Sequence, residues 1–577
     1  MSEKSSSLLQ DELIEISLVK LGISLLPLIG LAVLSHTMGL ELTSPMLVGI
    51  LRTFVQLSIL GAILTPIFIW GTVHWWIVAG YVVFMIVLAS FEASSRSLYY
   101  YKGMTASILL AFAVNTTLIS LFSFGVVIQP MPVWDPKYVI PVVGMLLGNC
   151  INGVSLANNS LLTALVEQSN ELEVYLSFGA NSAEASARLT RQAVRVGAMP
   201  TFNSMSVIGL ISIPGMMTGQ ILGGSNVQQA ARYQMLIMYL IATITFGTIL
   251  VSAWMARRVA FSHDCFESGR LHKRPAAVSL LTRMGKGCCD MFAITSSDSD
   301  ENDSDDGNTN ERTPLQQNGS VSDSSSYEAT TNTDANGALH FVPINHRNGN
   351  SNTNGRTYAV EIQVYNLSRS LETERGLRTL FQNVSSSWHS GEIIAVRGPS
   401  GTGKSQFTKV VAGLVSLDPN DNTSDVILNE ISLRQCKNLT QWRRQVRYVS
   451  QSKVDIPGTP LDFVRRIASL QAWRSSLSVS VLRAATQDLL QEWGLTASSL
   501  DKEWKHLSGG ESQRVYLAIA VATRPAVLIM DESTSFLDVV TKQKVERSIE
   551  RLAAEYEMVV LWVTHDDEQM ERMGRNV

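Results

Sequence analysis

Cysteine is scarce in this sequence. The 577 residues contain five, Cys150, Cys265, Cys288, Cys289 and Cys436. The number is odd and the spacing is not that of metal ligands, which argues against a disulfide framework and against a zinc site. An excess of either charge is also missing, since 46 Lys and Arg stand against 50 Asp and Glu for a net charge of −4. Such a chain has no global field to gather nucleic acid, so no nucleic-acid partner is expected. Charged residues make up only 17% of the whole and the mean hydropathy is +0.13. A cleavable signal is absent too, because the first apolar run is long and no small-residue cleavage pattern follows it. At roughly 150 residues per domain the length excludes one core, and the averages conceal two compositions.

What is present is a concentration of long apolar runs in the first 258 residues. Seven are close to the ~20 residues that cross a bilayer core: Leu18 to His36, Met46 to Trp70, Trp75 to Phe91, Met104 to Ile128, Tyr138 to Asn158, Met199 to Leu222 and Gln234 to Trp254. A soluble protein would have nothing polar left to cover them, so residues 1–258 are read as a membrane domain. Basic residues follow the third, fifth and seventh runs (Arg96 and Lys102; Arg188, Arg191 and Arg195; Arg257, Arg258, Lys273 and Arg274). By the positive-inside rule these ends are cytoplasmic, as is everything after Trp254. Pro214 and its neighbouring glycines should break the sixth run and expose backbone carbonyls to a cavity. Asn149, Asn152, Asn158 and Asn203 are candidate neutral oxygen ligands there, and Met205, Met216, Met217, Met235 and Met238 are soft ligands or apolar filler. Glu92 is the most membrane-adjacent carboxylate and is expected at the cytoplasmic lip.

Residues 259–357 become rich in Ser, Asn, Asp and Gly, with acidic residues at Asp298, Asp300, Glu301, Asp303, Asp305 and Asp306. That composition buries too little apolar surface to offset its ordering entropy and predicts a disordered tether. Cys288 and Cys289 are ordinary thiols or acylation sites within it. From 358 to 577 short β-branched runs alternate with helical stretches, the pattern of a helix-covered, mainly parallel α/β sheet.

Two motifs in this last part carry chemistry. After the strand Ile393 to Val396 comes Gly398-Pro-Ser-Gly-Thr-Gly-Lys404-Ser405 and then a helix. Glycines there let backbone N–H groups curl around a polyphosphate, Lys404 reaches the outer phosphates and Ser405 holds Mg²⁺. Gly398, Ser400, Gly401, Gly403, Lys404, Ser405 and Gln406 are the expected nucleotide ligands. A second apolar strand, Val527 to Met530, ends in Asp531-Glu532. Asp531 can join the Mg²⁺ shell while Glu532 polarises the attacking water.

Between them Leu507-Ser508-Gly509-Gly510-Glu511-Ser512-Gln513 opens a helix. This run resembles the signature loop of the ATP-binding-cassette (ABC) transporter family. Tyr448-Val-Ser-Gln451, Ser535-Phe-Leu-Asp538 and Val563-Thr-His565-Asp566 resemble the family's Q-loop, D-loop and switch histidine, in the family's order. The resemblance implies ATP and Mg²⁺ as cofactors, with Gln451 joining Ser405 and Asp531 at the metal and linking it to the membrane part. It implies Glu532, His565 and Gln451 in hydrolysis. Two copies would face head to tail, so that Ser508, Gly509, Gly510 and Asp538 complete the site of the opposite subunit. Two departures stand out. Where the family stacks adenine on an aromatic ring, this sequence has Leu371, with Tyr365 nearby, and the chain stops twelve residues after His565, so the expectation is either a missing final strand or an incomplete C-terminus.

With one nucleotide-binding domain, the chain is expected to act as a homodimeric half-transporter with two equivalent sites. Glu173, six residues before Gly179, faintly resembles the coupling loop of ABC importers. Leu176 to Ala187 is therefore expected to enter a groove near Gln451, and Phe178→Asp is expected to uncouple ATPase from transport. Asn181 and Glu184 have capping-box spacing. The run from Pro200 to Gly224, with Gly148-Asn149, Asn158-Asn159 and Tyr233-Gln234, is similar to the permease of the bacterial Fet iron-export system and to its relative in plant aluminium tolerance. Leu561-Trp562 through Asp566 resembles the Fet ATPase, so the chain resembles a fusion of the two. That implies a multi-pass protein in contact with lipid, exporting a small hydrophilic solute, iron or another metal, from the cytosol. The alternatives are a nucleotide-sugar transporter and a mechanotransmitter that moves no solute, the latter disfavoured by the short external loops.

Overall fold

The structure is a computed structural model and describes residues 17–40, 42–262, 265–266, 268–274, 332–333, 339–344, 359–373, 376–418, 421–565 and 568–569. Cys288, Cys289 and the acidic run of the expected tether lie outside the described residues. The chain forms two compact units. One is built from the apolar helices; the other is the C-terminal α/β unit, with which Thr163–Thr190 and Arg257–His272 also group.

In the helical unit α1 (Leu18–Ser24) and α2 (Leu26–Thr37) are followed by α3 (Thr43–Trp70), α4 (Trp75–Ser95), α5 (Met104–Phe122) and α6 (Pro136–Glu167). Six helical stretches among the described residues are long and apolar enough to cross a bilayer, the last being α11 (Val227–Ala260). Large apolar side chains such as Leu51, Leu57, Ile69 and Leu121 are more than half exposed on them, the reverse of a water-soluble helix and the arrangement a lipid solvent demands. Where helices touch, small residues permit it. A Cβ on Gly197 would stand 2.6 Å from the Gly153 carbonyl oxygen and 2.7 Å from the Ala157 Cβ, the close backbone approach typical of membrane helix pairs.

The sixth apolar run is broken, as its proline and glycines led one to expect, and neither piece is among the six stretches long and apolar enough to cross. It divides into the end of α9 (Ala187–Val207) and the short α10 (Gly215–Leu222). Gly209 takes a positive φ of 87° and Pro214 stands as the cap before α10. Proline cannot supply the N–H that a continuous helix needs, so the break falls where Gly209 and Pro214 direct it.

The other unit contains two principal sheets, besides the short antiparallel pair Phe261–Ser262 and Cys265–Phe266. The larger has a parallel core in the order β7 (Val446–Val449), β8 (Val527–Asp531), β9 (Val559–Val563), β4 (Ile393–Arg397), with β1 (His340–Pro343) added antiparallel beside β4. The smaller is antiparallel, in the order β6 (Ile431–Ser432), β5 (Asp425–Leu428), β2 (Glu361–Thr373), β3 (Gly376–His389). Strands β7, β8 and β9 are buried along their whole length, which is why β8 and β9 read as near-continuous apolar runs rather than alternating, while β7 buries Arg447 and Tyr448 as well. Helix α12 (Lys404–Val411) rests on β1 and β3 through Phe407, whose ring centroid lies 5.2 Å from Phe341 and 5.8 Å from Phe381.

Candidate active site

Four segments expected to carry chemistry leave the carboxyl ends of four adjacent parallel strands. The phosphate loop follows β4, Gln451 follows β7, Glu532 follows β8 and His565 follows β9. That edge is where open α/β sheets bind ligands. The pairing brings together residues more than a hundred positions apart.

Glu532 is the point of convergence. The Gln451 side-chain amide donates to Glu532 Oε2 at 2.7 Å, and His565 Nε2 lies 3.2 Å from Glu532 Oε1. Both carboxylate oxygens are thereby oriented, and Glu532 itself sits at a left-handed φ of 47°. Neighbouring Asp531 is buried and accepts from the Tyr448 hydroxyl at 2.8 Å. Burial, and then the Asp531 carboxylate, push the Tyr448 pKa well above its ordinary value, so the phenol remains a neutral donor at physiological pH. Sequence reasoning had not assigned Tyr448 a role. The sequence carried no signal for it, because the contact depends on β7 pairing with β8, which puts Tyr448 one register position from the pair Val449 and Met530.

The phosphate loop is held ready by its lysine. Lys404 Nζ donates to the carbonyls of Gly398 at 2.7 Å and Pro399 at 3.0 Å. Desolvation lowers its pKa, opposed by the charges of Glu532 and Asp531. Gly403, at φ 93°, caps α12, and a Cβ there would stand 2.9 Å from the Leu380 Cβ. Only glycine lets the loop close over β3. Ser400, Gly401 and Ser405 are exposed beside it, Gln406 half-buried. Arg378 donates to the Gly401 carbonyl at 3.3 Å and pairs across the hairpin with Leu371. Leu371 thus stands at the phosphate-loop end, whereas Tyr365 pairs with Asp425 and turns its hydroxyl to Gln363.

The signature loop begins α16 (Gly509–Ala522). Ser508 is its N-cap in a capping box with Glu511, and Ser508 and Gly509 are exposed. Gln513, one turn on, donates to the Ser450 carbonyl at 3.2 Å and so fastens this helix to the residue before Gln451. Asp538 caps α17 (Val539–Glu555) through the Thr541 N–H, and Phe536, Val539 and Val540 beside it are each more than half exposed.

Within the same unit the segment from α7 (Ser169–Ser177) to α8 (Ser182–Ala185) occupies an aromatic groove. Phe178 is fully buried, 5.1 Å from Phe463 and 5.8 Å from Tyr516 between ring centroids, with the Arg447 guanidinium 4.1 Å over its face. Arg447 Nη1 also donates to the Ser177 carbonyl. Burial lowers the Arg447 pKa to about 9, which leaves it cationic at neutral pH. Trp473 donates to the Phe178 carbonyl at 2.7 Å, Gln471 N–H to Glu184 at 2.8 Å, and Lys409 pairs with Glu173 at 2.8 Å. The Asn181–Glu184 capping box is formed. Arg188 turns back onto Glu171 and Gln168. The groove is floored by Arg447, four residues before Gln451.

Among the asparagines considered as solute ligands, Asn158 is buried and accepts from Ser252 at 2.8 Å, while Asn152 accepts from Arg96 at 2.8 Å. Each of these oxygens already accepts one hydrogen bond within the protein.

A phosphate loop, an acidic pair at a strand end, a histidine facing it and a capped signature helix define an ATP-hydrolysing ABC cassette. Carried with membrane-crossing helices, it makes this protein an ABC-type transporter. Residues 18–261 match the profile of an uncharacterised protein family, UPF0014, and residues 381–535 match that of ABC transporter domains. A UPF0014 membrane protein of Synechocystis is 35% identical over 258 residues, 44% of this chain and 98% of its own length. The probable iron export permease FetB of Escherichia coli is 31% identical over 40% of this chain and 87% of its own length. The probable iron export ATP-binding protein FetA of the same organism is 32% identical over 33% of this chain and 80% of its own length. The chain belongs to the UPF0014 membrane protein family, fused here to an ABC ATPase.

Proposed function

We propose that the protein works as a homodimer, hydrolysing ATP at two equivalent sites to export a small hydrophilic solute from the cytosol. The observation that carries this reading is the state of the signature loop. Ser508 and Gly509 are exposed at a helix N-terminus, beside the exposed apolar side chains of Phe536, Val539 and Val540. A helix N-terminus is an anion site, and an apolar rim next to it suits burial against a second copy. Each nucleotide would then lie between the phosphate loop of one subunit and Ser508, Gly509, Gly510 and Asp538 of the other.

Ser405, Asp531 and Gln451 offer hydroxyl, carboxylate and amide oxygens, the hard donors that suit Mg²⁺. The ion would neutralise charge building on the transferred phosphoryl group. Glu532, oriented by Gln451 and His565, takes the proton of the attacking water. Lys404 leaves its loop carbonyls for the phosphates. Iron as cargo rests on the names of the FetB and FetA relatives.

The test is purified full-length protein in lipid nanodiscs, sorted by mass into discs with one copy and with two. ATPase activity confined to two-copy discs, and abolished by Glu532→Gln, is the expected result. One-copy discs with full activity would refute the homodimer. ATP-driven iron movement in proteoliposomes tests the cargo separately.

A further inference from the structure

The search turned on where charge lies in the membrane helices. From residue 42 to 162 and from 191 to 260 the only acidic residues are Glu92 and Asp135. Asp135 lies before α6 and accepts from the Lys137 backbone N–H. Glu92, on α4, is joined within the six candidate spans only by Glu167 at the last residue of α6, and two arginines claim Glu92. Arg52 Nη2 donates to Glu92 Oε2 at 3.0 Å and Arg96 Nη2 to Oε1 at 3.0 Å. Arg96 Nη1 also donates to Asn152 of α6 at 2.8 Å. Arg52 lies six residues inside the span that begins at Met46, about 9 Å along its axis at ~1.5 Å per residue. An ionised side chain at that depth is expensive and marks a solute pathway by default.

The cluster is unbalanced. Two guanidiniums face one carboxylate, so it carries a surplus positive charge. Both Glu92 oxygens and the Asn152 amide oxygen already accept from the guanidiniums, and the cluster also offers N–H donors from Arg52, Arg96 and the Asn152 amide. The arginine side chains retain 40% and 43% of their exposure, so those donors are reachable. A bare divalent cation would meet repulsion here, and among the described residues no three of His, Cys, Asp and Glu come together. We propose that Arg52, Arg96 and Asn152 form a solute-binding site for a small anion bearing phosphate or carboxylate groups, with Glu92 holding both guanidiniums in place until the anion displaces it. Guanidinium is the group of choice for such oxyanions, which it binds in pairs of parallel hydrogen bonds. This rests on the transporter reading above and specifies its cargo: iron travels here as an anionic chelate, or the solute is an organic phosphate.

The experiment measures binding without ATP, so that it fails independently of the hydrolysis and dimer assays. Full-length protein in phosphatidylcholine nanodiscs is titrated with radiolabelled UDP-glucose, ferric citrate and, separately, ferrous ion. One of the two anions should bind saturably, which names the source of the charge. Arg52→Gln should raise its half-saturating concentration about tenfold or more, and Arg52→Lys, which keeps the charge but loses the fork, by less. Glu92→Gln, which removes the internal competitor, should lower it about threefold. That opposite shift separates a binding role from simple misfolding. Binding of ferrous ion alone, binding of neither anion, or equal affinity in wild type and Arg52→Gln would overturn the proposal. Displacement of the labelled anion by phosphatidylglycerol in the disc would assign the guanidiniums to a lipid headgroup and overturn it as well.

Discussion

Truncating Phe178 to alanine tests how the α7–α8 segment is held to the ATPase. The ring is fully buried against Phe463 and Tyr516 with Arg447 over its face. Removing such a side chain from a packed site costs about 3–5 kcal/mol, and the lost cation–π contact lies within that sum. At ~1.4 kcal/mol per decade, docking of the segment weakens by roughly two to three and a half orders of magnitude. Arg447 keeps Trp473 at 5.7 Å and its bond to the Ser177 carbonyl only while the segment stays in place. The nucleotide ligands are untouched, so basal ATPase should persist while solute stimulation disappears. Hydrogen exchange of residues 169–187 should accelerate in parallel. Phe178→Asp should also uncouple, although its carboxylate can pair with Arg447, which makes alanine the cleaner variant. Unchanged exchange together with full solute stimulation in Phe178→Ala would refute the reasoning.

Further expectations can be checked with the same particles. Glu532→Gln should lower kcat about a hundredfold or more while ATP binding survives, so ATP-bound dimers should accumulate in mass measurements. Tyr448→Phe removes the neutral donor from Asp531, a loss of about 1.5–3 kcal/mol for a hydrogen bond to a charged group. It should appear as a raised Mg²⁺ concentration for half-maximal ATPase, and a chelator should abolish turnover in both forms. Gly179→Ala should mimic Phe178→Ala in weaker form, because Gly179 has φ 85° and a Cβ there would stand 2.9 Å from the Thr440 carbonyl oxygen. Normal stimulation and exchange in that variant would contradict the placement of the segment.

The ATP site was legible in the sequence because each of its parts is local. A phosphate loop, a signature loop and an acidic pair are runs of a few residues whose chemistry follows from backbone freedom and helix ends. What sequence could not reveal depends on pairing between distant elements. Tyr448 reaches Asp531 only because β7 and β8 are neighbours in the sheet. Arg52, to which sequence reasoning assigned nothing, is an isolated charge in an apolar run, and its carboxylate lies forty residues away on the next helix. The break in the sixth apolar run was signalled by Gly209 and Pro214, whereas the shortness of α10 was not. Placing Phe178 required the groove to be assembled from β7, α14 (Pro460–Ser469) with the loop after it, and α16. Of these, only the aromatic content was visible in the sequence.

Helix α12 carries Lys404 in its first turn and Lys409, the partner of Glu173, in its last. Its eight residues span about 12 Å, too short to bend and without proline to kink it. The nucleotide end and the α7 end are therefore ends of one stiff rod. If a solute that alters the hold on Glu173 changes ATP affinity through this rod, then by thermodynamic reciprocity ATP must change solute affinity by the same factor. Measuring either dependence fixes the other.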